Sequence, residues 1–466
     1  MPINSFLYPG AKFIPGYEVA NSLTFSSSDD SLSKTYSSSG NTKTWTLSTW
    51  VKRSNLDTSQ NQKIFGTNYT SLSEFMININ NDGTDEDKIN ILNYTGGGGA
   101  IQANATTARV FRDPSAWFHL LVVLDTTQSS ESDRLKVYIN GSLATLSGTI
   151  PSQNADLVWN NSSHTLYIGE GGSQAVGNFQ GYLCETVFVD GTALDQDSFG
   201  EFDEDSPTIW KPKDVSTLSL GTNGFYLDYE DSSDLGNDAS GSNNWSVNQL
   251  AATDQSTDTC TNNFCTLNPL KNNTTLSEGN LKCVTGAGTS QVATSTFAPN
   301  AGKWYWEVKV DDSTALMVGV ADVTATLANS DWAASGGYYY YNTGVTYNNN
   351  SSSSYGDSWT DGDIIGVALD LDNNKIYFSK NGTFQNSGDP TSGSSGTGAA
   401  FTLTGQYFPA LTNGSSHNGA TAQMNFGSPS FSISSGNADA NGFGNFEYSV
   451  PSGYFALCTK NLAENG

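Results

Sequence analysis

Cleaving a glycosidic bond takes two carboxylates facing one sugar linkage, and the densest acidic run here is Glu201-Phe-Asp203-Glu-Asp205-Ser206. It is followed by Pro207 and reads as a loop, so its acids do not line up along one strand face. The three histidines, His119, His164 and His417, each stand alone. No Gly-x-Ser-x-Gly elbow and no Cys–His neighbour offers an activated nucleophile. His119 lies inside an apolar run and reads as a packed residue rather than a base. Zinc spacings of the Cys-x-x-Cys or His-x-His kind do not occur. The Gly96–Gly99 run lacks the lysine and following helix of a phosphate-binding loop. These residues predict a protein that is not an enzyme.

Binding chemistry is better represented. Asp228, Asp231, Asp234 and Asp238, with Glu230 among them, fall within eleven residues, and calcium prefers such hard oxygen ligands in loops. The competing reading is a series of Asx turns, with no cofactor. A second candidate set is aromatic: Trp332, Tyr338, Tyr340, Tyr347, Tyr355 and Trp359, with Tyr339 and Tyr341 in the same run, interleaved with Asn, Ser and Gly. Flat amphipathic rings beside adaptable polar groups suit protein or sugar recognition. If the four-tyrosine run is a strand, however, alternate rings must fill a core.

The elements that would position these groups are strands. Charged residues are only 14 % of the 466, whereas aromatics reach 12 %, and turn-forming Gly, Asn and Ser are abundant. Short apolar or alternating runs recur throughout: Ser22–Phe25, Thr44–Lys52, Lys63–Gly66, Phe75–Ile79, Lys88–Leu92, Trp117–Asp125, Arg134–Ile139, Thr165–Ile168 and Tyr182–Val189. Asn140-Gly141, Asp190-Gly191 and Asn381-Gly382 mark hairpin turns. In Thr44–Val51, Trp45, Leu47 and Thr49 alternate with Thr46, Ser48 and Trp50, which predicts one mainly apolar face. The fold class is therefore all-β, two antiparallel sandwiches of jelly-roll type in tandem with extended arms. The boundaries are an N-terminal arm at 1–20, a first sandwich at 21–250, a connector with edge strands at 251–299, a second sandwich at 300–427 and a C-terminal arm at 428–466.

Forty-six acidic against twenty basic residues give a net charge of −26, which repels phosphate backbones and argues against a nucleic-acid partner. No apolar run reaches the length of a membrane helix, and the first residues lack the pattern of a secretory leader. Membrane insertion is not expected. The five cysteines, Cys184, Cys260, Cys265, Cys283 and Cys458, are too irregular for a disulfide framework. Cys260 and Cys265 could pair across a turn; reduced thiols are the preferred reading.

The first block resembles the laminin-G-like, concanavalin-type jelly rolls. The matching residues are Leu23-Thr-Phe25, Trp45-Thr-Leu-Ser-Thr-Trp50-Val-Lys52, Trp117-Phe-His-Leu-Leu-Val-Val-Leu-Asp125 and Leu135-Lys-Val-Tyr-Ile-Asn140-Gly141. Tyr167-Ile-Gly169, Phe179-Gln-Gly181-Tyr-Leu-Cys-Glu185 and Thr192-Ala-Leu-Asp195 complete them. Asp238-Ala-Ser240-Gly241-Ser-Asn-Asn244, a segment often found before the first strand, here follows the block. Sandwich glucanases of this type carry Glu-x-Asp-x-x-Glu on one strand, and the 201–206 run lacks its final glutamate. The second block resembles SPRY domains through Gly302-Lys-Trp-Tyr-Trp-Glu-Val308, Met317-Val-Gly-Val-Ala-Asp322, Asp361-Gly-Asp-Ile-Ile-Gly-Val-Ala-Leu-Asp370, Lys375-Ile-Tyr-Phe-Ser-Lys-Asn381-Gly382 and Tyr407-Phe-Pro-Ala-Leu411.

This tandem resembles phage virion-associated proteins of the tail-fibre type. The resemblance implies a virion structural and adhesion protein, a homo-oligomer that meets other virion proteins through its arms and binds host-surface glycan or protein through sandwich loops. The alternatives are a capsid decoration protein without a ligand and, third, a polysaccharide-degrading enzyme.

Overall fold

The computed structural model describes residues 16–27, 29–56, 59–69, 73–81, 83–95, 100–170, 177–241, 243–286, 291–324, 336–414 and 419–466. Alternating side chains build the first sandwich from two antiparallel sheets. In one, Thr44–Arg53 is central, flanked by Phe118–Asp125 and Gly181–Asp190, with Leu135–Ile139 and Ser22–Phe25 further out. The other runs Leu146–Thr149, Ala100–Val110, Lys88–Thr95, Glu74–Ile79, Gln62–Thr67, Leu166–Ile168, Ser31–Lys34 and Ser246–Asn248. Trp45, Leu47, Val51, Phe75, Ile77, Ile89, Ile91, Val122 and Trp159 meet between them in one core. The segment displaced in sequence, Asp238–Asn244, leads directly into Ser246–Asn248, which pairs with Ser31–Lys34 at the sheet edge.

The Thr44–Arg53 strand differs from the one-face expectation. Nine of its ten residues are buried, because chain beyond the jelly roll adds a third layer. Leu121, Val123, Val187 and Val189 on the outer face pack against Phe199, Val215, Leu220 and Tyr226. Trp50 and Cys184 pack against Val19 and Trp210. Residues 16–20, assigned to the arm from sequence, belong to this layer: Val19 N–H donates to Thr261 Oγ1 at 3.1 Å. The His119 ring is wholly buried there, with Nε2 2.8 Å from Ser48 Oγ and Nδ1 accepting from Trp210 Nε1 at 3.2 Å. Burial pushes it down to about 3, so it stays neutral and packed.

A β-bulge between Cys184 and Val187 places Glu185 at φ 51°. Its carboxylate accepts from the Tyr226 hydroxyl at 2.9 Å and the Tyr17 hydroxyl at 3.2 Å. Burial first, opposed by those hydroxyls and reinforced by Asp228 and Glu230, pushes its pKa up to about 7. A folded-state value above the unfolded one means stability is greatest below about pH 4.5 and falls as pH rises through about 7. Glu185→Gln is therefore expected to flatten the dependence of the unfolding midpoint on pH between 5 and 8. At pH 8 it should stabilise the chain by roughly 2–3 kcal/mol. Thermal unfolding across that range checks it, and an unchanged slope would sink the assignment.

The second sandwich has two further antiparallel sheets. One centres on Leu316–Asp322 between Tyr407–Asn413 and Gly337–Tyr341. The other centres on Lys303–Asp312 between Ile364–Asp370 and Thr421–Asn425. Trp304, Trp306, Val318, Tyr340, Val367, Phe378 and Met424 fill the space between. Connector strands Thr275–Ser277, Lys282–Val284 and Val292–Ser295 complete the sheets. The C-terminal arm folds back in cis. Phe455–Ala456 pairs in parallel with Lys303–Asp312, Phe446, Tyr454 and Cys458 pack on Tyr305 and Tyr377, and a helix, Thr459–Asn465, closes the chain.

A buried polar hub joins the sandwiches. Lys52 Nζ donates to Asp258 Oδ2 at 2.6 Å, Asn263 Oδ1 at 2.7 Å and the Phe264 carbonyl at 3.2 Å. Trp117 Nε1 and Phe264 N–H donate to the other Asp258 oxygen. Tyr182 hydroxyl donates to the Gly279 carbonyl at 2.7 Å, and Asn280 Nδ2 to the Ser54 carbonyl at 2.8 Å.

Candidate functional site

The aromatic set expected to bind divides by strand periodicity. Trp332 lies outside the described residues. Gly337–Tyr341 is an internal strand, so its tyrosines alternate between faces. Tyr340 is fully buried, 5.5 Å from the rings of Tyr355 and Phe378 and 6.1 Å from Trp359. Its hydroxyl donates to the Asp357 carbonyl, and Tyr355 OH accepts from Phe378 N–H at 3.2 Å. Tyr340, Tyr355 and Trp359 are core residues, which corrects the reading of them as contact surface. Tyr338 is half-buried on the core side against Phe401 and Tyr407. Tyr347 is half-buried on the opposite face beside Tyr339 and Met317. The structure does not bring these five residues to one surface.

The acidic candidates are held by their own turns. Asp228 accepts from Glu230 N–H, Asp231 from Ser233 N–H and Oγ, and Asp234 from Asn244 Nδ2. Asp238 takes four donors, from Tyr226 N–H, Ser240 N–H, Ser240 Oγ and Asn243 N–H, at 2.6–3.1 Å. Among the described residues no cluster of three or more metal-ligating side chains forms. In the 201–206 run, Lys211 pairs with Glu201 and Asp203 at 3.5 Å each on an exposed two-stranded ribbon.

A different surface, missed at the sequence level, collects convergent polar groups on strands. Ile77, Ile79, Ile89, Ile91 and Ala105 point into the core, so the alternate residues Asn78, Asn80, Asn90, Leu92, Asn104 and Thr106 face outward. Registers set Asn78 opposite Asn90, Asn90 opposite Thr106, and Thr106 opposite Ser147. Buried Asn90 donates through Nδ2 to Asn104 Oδ1 at 2.8 Å and Thr106 Oγ1 at 2.9 Å. Asn104 itself is exposed. Gly148, at φ 102°, lies so close that a Cβ there would stand 2.1 Å from the Asn104 carbonyl oxygen, which keeps this wall low. Together with Asn61, Asn80 and Asp85 these residues line a trough of about 290 Å³. Asp85 contributes its single lining carboxylate among the described residues, and that group pairs with Lys88 at 2.9 Å. A larger groove, about 430 Å³, opens between the sandwiches beside Asn55, Gln180, Leu270 and Glu278. The groove is walled partly by the connector strands Leu267–Asn272 and Thr275–Ser277, whereas the amide row of the trough lies on three adjacent strands of one sheet.

Residues 26–198 match the family model of the concanavalin A-like lectin/glucanases superfamily, and residues 303–429 match that of the SPRY domain. The chain carries a concanavalin-like domain followed by a SPRY domain. The trough lies on the concanavalin-like domain, and the tyrosine-rich strand belongs to the SPRY domain. Among solved structures, the SPRY domain of human HERC1 is similar at 19 % identity and a TM-score of 0.29, covering 34 % of this chain and 96 % of that one. Stonustoxin follows at 18 % and 0.28, covering 34 % and 27 %. A human SPRY domain gives 18 % and 0.24, covering 31 % and 90 %. No curated protein matches the chain.

Proposed function

We propose that this is a non-catalytic adhesion protein, borne on a virion as a fibre-like appendage, whose concanavalin-like domain binds a neutral host-surface glycan along the amide-lined trough. The observation that carries the reading is the row Asn90, Asn104, Thr106 and Ser147 across three adjacent strands. Amides and hydroxyls both donate and accept, matching sugar hydroxyls, while half-buried Leu92 offers an apolar strip to a sugar's C–H face. The −26 charge disfavours anionic polymers. One ion-paired carboxylate does not make the opposed pair that hydrolysis requires. Weak binding at a shallow trough is raised by displaying several copies.

A glycan array followed by calorimetry tests this. Asn104→Ala, at an exposed position, is expected to weaken binding of the selected sugar by about 3- to 10-fold, the worth of one net hydrogen bond, with only a small drop in melting temperature, since Asn90 Nδ2 keeps Thr106 Oγ1 as an acceptor. Undiminished binding would place the ligand elsewhere. Silence on the array, alongside stoichiometric incorporation into capsids, would favour a decoration protein. Shortening of a polysaccharide by the pure protein would reveal an enzyme. For the virion role, deleting residues 1–15 should abolish incorporation while both domains stay folded; loss of folding would refute an anchoring function for that segment.

A further inference from the structure

We infer that Cys184 and Cys260 form a redox-controlled disulfide that fastens the covering layer to the concanavalin-like domain. Cys260 packs against the buried cluster formed by Cys184 with Val19, Trp50 and Trp210, and the neighbouring Cys184 thiol is among the groups that raise the Cys260 pKa. Cys184 lies on the outer face of the Gly181–Asp190 strand, paired with Trp50 and fully buried. Cys260 sits in the Thr259–Asn262 turn and is partly exposed, so an oxidant can reach it. The Cys260–Cys265 pairing weighed from sequence is not what the fold presents. Cys265 points into the SPRY core and contacts Thr296 Oγ1 at 3.7 Å. Cys283 is buried in the SPRY core, and Cys458 is buried with Phe264, Phe446 and Tyr454.

With a glutathione-type disulfide as oxidant the step balances. The Cys260 thiolate attacks one glutathione sulfur and releases one glutathione thiolate. The Cys184 thiolate then attacks the Cys260 sulfur of the mixed disulfide and releases the second. The cysteine pair loses two electrons, and its two protons pass to the departing thiolates. Burial, the neighbouring thiol and Glu185 all hold the Cys260 proton on, so the reaction is slow at neutral pH, where thiolate is the nucleophile. The pair would stay open in a reducing cytoplasm and close after release into an oxidising medium. The bond ties a loop that contains Phe199, Trp210, Val215, Leu220 and Tyr226 of the covering layer, and long loops gain most from closure.

The full-length protein, incubated with oxidised glutathione at pH 8.5, tests the pairing. Thiols counted under denaturing conditions should fall from five to three. Non-reducing peptide mapping should recover the Cys184–Cys260 link, and the melting temperature should rise by several degrees and return with dithiothreitol. Cys260→Ser should retain four thiols and show no rise. Should that variant misfold, the wild-type peptide map decides alone. Five thiols remaining, a Cys260–Cys265 link, or a lasting glutathione adduct on Cys260 beside a free Cys184 would each overturn the inference.

Discussion

Lys52→Met is expected to destabilise the chain by about 3–5 kcal/mol, the usual loss when one member of a buried ion pair is removed. Lys52 and Asp258 are 1 % and 2 % exposed, so the remaining carboxylate is left charged with only Trp117 Nε1 and Phe264 N–H as donors. Lys52 also lies 5.5 Å over the Tyr182 ring, and Tyr182 in turn bonds the connector. The loss should therefore appear at the junction of the two domains. Protease cleavage within residues 250–300 should accelerate, and denaturant unfolding should separate into two transitions. The double variant Lys52→Met with Asp258→Asn removes the orphaned charge and should recover part of the loss. If it unfolds as readily as Lys52→Met alone, the unpaired charge is not the cause.

Glu307→Ala should be nearly as costly, on the order of 3 kcal/mol, because several buried donors lose their acceptor together. Glu307 is fully buried on the Lys303–Asp312 strand. It accepts from Glu447 N–H at 2.9 Å, Tyr448 N–H at 2.8 Å and the Tyr305 hydroxyl at 3.0 Å. Two of these donors are backbone groups of the C-terminal segment, so that segment should loosen before the SPRY sandwich does. Hydrogen exchange should rise in residues 437–458 ahead of the Ile364–Asp370 strand. Simultaneous exchange of both would show that the segment is integral to the core rather than fastened to it by this carboxylate.

Much of the architecture is written in local pattern. Ser22–Phe25 and the central strands follow from alternation and β-branched or aromatic content, with hairpins at Asn140-Gly141 and Asn381-Gly382 where both φ values are positive. Ala100–Val110 escapes such a reading: its inward residues include Ala103 and Ala105, too small to give an apolar signal against Asn104 and Thr106. The trough was half visible, since asparagines alternate with isoleucines in both Glu74–Ile79 and Lys88–Thr95. That these amides share one face with Asn104 and Ser147 depends on register between strands, which no single strand encodes.

The tyrosine run shows the same division from the other side. Aromatic content marks Tyr338, Tyr340, Tyr355 and Trp359 as important, but whether a ring meets solvent or core is set by which strands flank it. By itself the sequence determined the strands, the turns, the two-domain order and the acidic surface, because propensity, alternation and charge act over a few residues. Only the tertiary structure decided the third layer over Thr44–Arg53, the Lys52–Asp258 hub, the Cys184–Cys260 neighbourhood and the amide row. Each of these joins groups far apart in the chain, and their proximity is fixed by packing and hydrogen-bond register rather than by local preference.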